Sequence, residues 1–441
     1  MATYVFLNLP AHGHVNPTLA VAHELVQRGE KVIYYLTEEF RAAVEATGAT
    51  FRSYQSQTGQ MQPPTNFNFA QDTRSPNGPP NGMPFMMVDE GARVLPQVLE
   101  SIRADRPDYI LYDMMCLWAK IAARSLHVPA ILFRPSYAAN EQSNIMGNMR
   151  NMGGMNRAAD SNPASGAAMG ADSEISSDAG SPPVAPGFFA MFNQVNDKLA
   201  ELCRAYGVQP FSAQEMFLGA EPLTIVFIPK EFQPNGETFD ERFVFVGPSI
   251  QPRPNTSNFP LNKLTEKTTL YISLGTVFNN QAAFYNMCFA AFKDEPWQVV
   301  LSTGTKVDQA NLDPTPANFL VASQVPQLEV LQHTSLFVTH NGMNSTMESL
   351  YYGVPMVGIA QMPEQMMTAQ RVQELELGTA LDKNTLTVEM LRTTVEQAMA
   401  NESYRANAKA MQQHVRNAGG YKRAADAIME FEQSHRQRAR A

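Results

Sequence analysis

Short apolar runs, each followed by a stretch of helical periodicity, occur in two sets along this chain, and a proline-rich break separates them. That rhythm confines the fold to parallel sheets with helices on both faces. A strand buried on both sides reads as a continuous apolar run, and its parallel neighbour is reached only through a long crossover. In the first set Tyr4–Leu9 passes through Pro10–Asn16 into a helix expected to begin near Pro17. There Leu19, Ala22, Leu25 and Val26 keep helical spacing, and Gly29 supplies the stop. Lys31–Leu36, Tyr109–Tyr112 ending at Asp113, Ala130–Phe133, Thr224–Ile228 and Arg242–Val246 read as the remaining strands. Gly247 to Lys263, with four prolines, reads as a linker. The pattern then restarts with strands Thr269–Leu274, Gln298–Ser302, Asn318–Ala322, Leu336–Thr339 and Pro355–Ala360, and helices near Phe284–Phe292 and Asn344–Tyr352. The expected architecture is α/β: two doubly wound, Rossmann-like domains facing across a cleft. Their bounds are residues 1–247 and 266–420, with a linker at 248–265 and a terminal helix at 421–441 that packs back on the first domain. A length of 441 residues agrees, because one hydrophobic core stops growing beyond roughly 250–300 residues.

Two segments interrupt the rhythm. Residues 55–84 are rich in Pro, Asn, Gln and Gly, and residues 146–187 in Met, Asn, Ala, Ser and Gly. The second has too few large apolar side chains to bury a face and is expected to be partly mobile. Composition excludes several functions. A net charge of -9 disfavours nucleic acid, whose phosphates require a basic face. Three cysteines, Cys116, Cys203 and Cys288, lie far apart without metal-ligand spacing, which fits buried free thiols in a reducing compartment. No His, Asp and Glu cluster has metal spacing, so no metal is expected. No run of about 20 apolar residues could span a membrane, and no positive leader precedes the first strand. The expected location is the cytoplasm.

The most informative segment runs from Phe337 to Pro355. A strand ends at His340, a glycine turn follows at Gly342, and a helix opens with Asn344 and Ser345. The first backbone N–H groups of a helix lack internal partners and, with the helix dipole, form an anion site. Glu348 lies four residues past Asn344, on about the same face, where a carboxylate accepts paired hydroxyls such as those of ribose. A second informative segment is Pro10-Ala-His-Gly-His-Val-Asn-Pro17, at the carboxyl end of the first strand, where open α/β sheets place their chemistry. His12 and His14 both offer a base that titrates near neutrality, and Asp113 ends a strand from which a carboxylate can orient an imidazole. Phe85, Met86, Met114, Met115, Trp118 and Met146 offer a methionine-rich, adaptable lining for an apolar ligand, with most expected to be core.

Together these residues resemble family 1 of the UDP-dependent glycosyltransferases, especially bacterial members that modify macrolides and flavonoids. The signature is His340, a glycine two on, a serine five on, a glutamate eight on, then Gly353-Val-Pro355. Val325-Pro-Gln327 resembles its uracil-facing part, Pro363-Glu-Gln365 its sugar-reading end, and Ser273-Leu-Gly-Thr276 the loop that approaches the diphosphate. The resemblance implies the two-domain GT-B architecture and assigns roles residue by residue. The Val325 backbone and Gln327 side chain hold the uridine. Glu348 binds ribose. Thr276, His340, Gly342, Asn344 and Ser345 surround the diphosphate, and Glu364 and Gln365 meet the sugar. The family's catalytic histidine follows a glycine and stands three residues before a proline, which selects His14, with Asp113 behind it. Two departures stand out: Gln324 replaces a tryptophan that stacks on uracil, and Glu364 replaces an aspartate. The implied activity is inverting transfer of a hexose, glucose first, from a UDP-sugar to a hydroxyl of a small hydrophobic acceptor such as a flavonoid, phenolic or macrolide. The UDP-sugar is a co-substrate and no further cofactor is implied. The alternatives are a nucleotide-sugar epimerase and a non-catalytic UDP-sugar-binding partner protein.

Overall fold

The computed structural model describes residues 1–57, 83–140, 142, 186–251, 259–264 and 267–440. Most of the 55–84 segment and nearly all of the 146–187 segment lie outside the described residues. The first seven strands are β1 (Thr3–Leu7), β2 (Lys31–Leu36), β3 (Thr50–Ser53), β4 (Tyr109–Asp113), β5 (Ala130–Arg134), β6 (Leu223–Val226) and β7 (Phe243–Phe245). They form one parallel sheet in the order β3-β2-β1-β4-β5-β6-β7. Six more follow: β8 (Thr269–Ser273), β9 (Gln298–Ser302), β10 (Phe319–Ala322), β11 (Leu336–Thr339), β12 (Met356–Gly358) and β13 (Gly378–Ala380). Their order is β10-β9-β8-β11-β12-β13, again all parallel. These are the two doubly wound, Rossmann-like sheets expected from the rhythm of the sequence. In each, the first strand is flanked by the strands that reverse the winding order, so β1 pairs with both β2 and β4, and β8 with both β9 and β11. A topological switch point opens a crevice at the carboxyl ends of those strands.

The helices flanking the first sheet include α1 (His12–Gln27), α2 (Arg41–Glu45), α3 (Met83–Asp105), α4 (Leu117–Leu126), α5 (Pro186–Ala205) and α6 (Ala213–Leu218). One boundary corrects the sequence reading. Helix α1 begins at His12, not near Pro17, after an extended Ala11. Pro17 suits the first turn of a helix, which drew the boundary five residues late. In the structure it sits inside the helix and has no N–H to give to the carbonyl of Gly13, four residues back. Phe85 and Trp118 belong to the apolar core of the first domain, at 2% exposure each, whereas Met114 and Met115 remain partly buried beside Asp113. Met146 lies outside the described residues.

The second domain carries α7 (Ala282–Phe292), α8 (Gln327–Leu331), α9 (Met343–Tyr351), α10 (Pro363–Glu374), α11 (Val388–Ala400), α12 (Glu402–Asn417) and α13 (Gly420–Arg440). Helix α13 leaves its own domain. Ala424, Ala425, Ala427 and Ile428 are buried in one cluster with Tyr4, Phe6, Val21 and Val32. Arg28 Nη1 donates to Asp426 Oδ1 at 2.6 Å, and the Tyr4 hydroxyl donates to Glu432. The chain therefore crosses between domains twice, and the crossings touch: the Gly420 N–H donates to the Val246 carbonyl at 2.6 Å. Between the domains, Tyr137, Val226 and Phe232 share an apolar cluster with Tyr271, Phe337 and Met347. Arg371 of α10 adds hydrogen bonds to the Phe232 and Glu231 carbonyls at 2.9 and 3.1 Å.

Candidate active site

Strands β1 and β4 are neighbours with Leu7 opposite Tyr112, so the residues that leave their carboxyl ends meet at the same level. His14, in the first turn of α1, places Nδ1 2.7 Å from Oδ2 of Asp113, the last residue of β4. The other carboxylate oxygen, Oδ1, accepts the Met115 N–H at 2.8 Å. A carboxylate only accepts, so the imidazole proton sits on Nδ1 and the Nε2 lone pair is left for chemistry. Asp113 is fully buried and His14 keeps 26% side-chain exposure. Burial opposes a charge on His14. The facing Asp113, through its charge and hydrogen bond, outweighs that opposition, Glu364 adds to it, and the imidazole pKa is raised above its ordinary value. His12 lies elsewhere, exposed, with its ring edge against Phe40 at 5.0 Å.

Beneath the first turn of α1 lies a residue that sequence reasoning passed over. Asn8 is 2% exposed, and its Nδ2 lies 3.2 Å from the His14 carbonyl, 2.9 Å from Thr18 Oγ1 and 2.8 Å from the Tyr34 hydroxyl. Its own carbonyl accepts the Tyr54 hydroxyl at 2.6 Å. A buried polar network of this kind fixes one arrangement when its members are satisfied. The signal was available, since Asn8 is the polar residue within the apolar run Tyr4–Leu9.

Across the cleft, α9 opens directly after β11 with Gly342 as its extended cap, which offers no side chain to the first N–H groups. His340 precedes it, packed so tightly that a Cβ on Gly275 would come 2.5 Å from its Cε1, and one on Gly342 2.4 Å from its Nε2. Gly275 also has φ +77°, a conformation that glycine adopts without penalty. Burial lowers the His340 pKa to about 4, against a raising contact with the Ser273 backbone, so the ring is neutral at physiological pH. Among the described residues its Nδ1 has no hydrogen-bond partner.

The other predicted donor-side residues are distributed around this helix. Glu348, 4% exposed, accepts from Gln327 Nε2 at 2.6 Å, and the same nitrogen lies 3.3 Å from Ser345 Oγ. Gln327 Oε1 accepts the Tyr271 hydroxyl at 3.1 Å. The side chain expected to hold uridine thus braces Glu348 and Ser345 within the protein. Val325 is half-buried, and Gln324 and Thr276 are exposed. Glu364 stands exposed in the first turn of α10, and Gln365 Oε1 accepts the Gln361 N–H at 2.8 Å. Asn344 reaches the opposite domain, where its Nδ2 donates to the Gly13 carbonyl at 3.0 Å. Around that contact Asn16, Pro17, Asn344 and Glu348 line a small cleft. Among the described residues no three His, Cys, Asp or Glu side chains are grouped to hold a metal ion, and no helix is long and apolar enough to cross a membrane.

Comparison with known proteins places this arrangement. Residues 228–416 match the family model described as UDP-glucoronosyl and UDP-glucosyl transferase. The chain is 37% identical to the NDP-glycosyltransferase YjiC of Bacillus licheniformis over 425 residues, which is 96% of each protein. It is 32% identical to the demethyllactenocin mycarosyltransferase of Streptomyces fradiae, over 97% of this chain and 86% of that one. Among solved structures, the calicheamicin glycosyltransferase CalG4 superposes with a TM-score of 0.77 at 29% identity, over 98% of both chains. The chain belongs to family 1 of the UDP-dependent glycosyltransferases and is a glycosyltransferase of the two-domain GT-B architecture.

Proposed function

We propose that the protein transfers a hexose, glucose first, from a UDP-sugar to a hydroxyl of a small apolar natural product, with inversion at the anomeric carbon. The observation that carries this reading is the His14–Asp113 pair, at 2.7 Å, facing the opening of α9 across the cleft. His14 Nε2 takes the acceptor's hydroxyl proton, and the oxygen attacks the anomeric carbon from the side opposite the departing UDP. Asp113 holds the tautomer and steadies the imidazolium, as the aspartate of a serine-hydrolase triad does. A general base so placed contributes roughly 10²–10⁴-fold. The uncapped N–H groups of α9, with neutral His340, Asn344 and Ser345 as donors, face the charge that grows on the leaving diphosphate, so that this role falls to helix and side chains. Gln327 holds the Glu348 carboxylate towards ribose, and Glu364 and Gln365, at the start of α10, read the sugar. Relatives named for calicheamicin and demethyllactenocin support a bulky natural-product acceptor, and the latter, a mycarosyltransferase, makes the sugar the first variable to test. The protein acts in the cytoplasm, where UDP-sugars are made.

The test is incubation with UDP-glucose, a panel of phenolic, flavonoid and macrolide acceptors, and EDTA. Acceptor-dependent UDP release, a hexose-sized mass gain and a β-linked product by NMR, all insensitive to the chelator, are expected. An α-linked product would rule out the single displacement. UDP-sugar isomerised without acceptor would indicate an epimerase. UDP binding without turnover of any donor would indicate a non-catalytic binder.

A further inference from the structure

Helix α1 contains a carbonyl whose usual i+4 backbone donor is missing. The helical partner of the Gly13 C=O would be the N–H of residue 17, which is a proline. That carbonyl belongs to the peptide unit that carries the His14 nitrogen, and it accepts the Asn344 side chain from the other domain at 3.0 Å. A carbonyl only accepts, so the contact also settles which end of the Asn344 amide points to it. The NH₂ group does, and one of its two hydrogens remains for a second acceptor.

We propose that Pro17 is a positioning residue. By withholding an N–H it leaves the Gly13 carbonyl without a competing i+4 donor, so that the carbonyl is directed to Asn344, and this contact aligns the donor-binding helix with the peptide unit of the base. The inference rests on the donor-side role of Asn344 under the proposed function. In the closed cleft, Asn344 spends one N–H on Gly13 and presents the other to a diphosphate oxygen. Its orientation, and with it that of the first turn of α9, is fixed by the helix that carries His14. The contact holds donor helix and base in register.

A double-mutant cycle on Pro17→Ala and Asn344→Ala tests this. An alanine in place of Pro17 supplies the backbone N–H that the proline lacks, so the variant should melt no lower than the parent protein while Asn344 must share its acceptor with a competing donor. In the parent background Pro17→Ala should lower kcat about tenfold and weaken UDP about threefold, with acceptor KM unchanged. In the Asn344→Ala background it should change neither. Equal losses in both backgrounds would overturn the proposal, because Pro17 would then act on α1 alone; so would no loss in the parent. Pro17→Ser restores the same N–H and must repeat the pattern, which covers the case in which one variant folds poorly. Should no donor be transferred by the parent protein, the proposed reaction falls, but the cycle is still read from UDP affinity by calorimetry. Absence of coupling there, or of UDP binding, sinks the positioning role.

Discussion

Replacing Asp113 with asparagine tests the base assignment at the level of a single proton. The substituted side chain has one acceptor oxygen, and the Met115 N–H, 2.8 Å from Asp113 Oδ1, claims it. The amide NH₂ then faces His14 Nδ1 across the 2.7 Å now spanned by the Nδ1–H hydrogen bond. Nδ1 must accept, the ring proton moves to Nε2, and the lone pair that deprotonates the acceptor is lost. Restoring the working tautomer sets two buried donors against each other, at about 1–3 kcal/mol, and the imidazolium loses a charge-assisted bond worth about 1.5–3 kcal/mol. A combined loss of about 4 kcal/mol corresponds to a fall of about 10³ in kcat. The equivalent change in a serine-protease triad, a known case rather than a derivation, costs about 10⁴. The pH dependence supplies a second readout. Asp113 raises the His14 pKa above its ordinary 6.5, and the base works only when neutral. Parent activity should therefore climb with pH through a limb above 6.5, whereas the residual activity of the Asp113→Asn variant should climb at lower pH. UDP release at saturating donor and acceptor, followed from pH 5.5 to 9, measures both, and calorimetry should find UDP affinity unchanged. A loss under tenfold, or an acid limb that stays where it was, would refute the tautomer argument.

Four further outcomes follow, three of them from the donor side. Glu348→Gln removes the carboxylate proposed to meet ribose hydroxyls, so UDP should weaken by about 10–100-fold, the equivalent of a charged hydrogen bond; calorimetry should show 2′-deoxy-UDP affected less. Gly342→Ala drives a Cβ to 2.4 Å from His340 Nε2, an overpacking cost of about 1–3 kcal/mol, and should lower both the melting temperature and UDP affinity. Gly13→Ala, whose Cβ meets nothing within 4 Å among the described residues, should leave the melting temperature in place. His340 has its folded pKa depressed from 6.5 to about 4, so its contribution to stability is full above 6.5 and is lost as pH falls towards 4. His340→Gln should accordingly flatten the drop in melting temperature between pH 7 and pH 4.5, and an unchanged slope would remove His340 from that role.

The sheets were legible because their central strands are buried on both faces. Lys31–Leu36 and Leu336–Thr339 were read with the bounds they have in the structure, and most other strands to within two residues at either end. The strands that went unread, β3 and β13, stand at sheet edges. Only Phe51 of β3 is buried, and β13 is a three-residue Gly-Thr-Ala, so neither carries an apolar run. The start of α1 was misplaced because proline is ambiguous: it favours a first turn and is tolerated further in when a carbonyl finds another partner. Spacing along one chain placed His14 before Pro17, but it could not show Asn344 arriving from the other domain, nor Asn8 beneath the turn. Likewise Gln327 gave no local sign that Tyr271 and Glu348 would occupy both ends of its amide.

The return of α13 over the first domain governs the order in which this protein can be made. Tyr4 and Glu432 are 428 residues apart, and the face shared by Tyr4, Val21 and Ile428 stays uncovered until the last helix has left the ribosome. At about 5–20 residues per second that wait is on the order of a minute or less. Throughout it the amino-terminal half lacks the apolar cover that α13 gives it in the finished molecule. Translation speed and chaperone supply, rather than the stability of the finished molecule, should therefore limit the yield of soluble protein, and shortening the last helix should harm yield more than it harms the chemistry of the cleft.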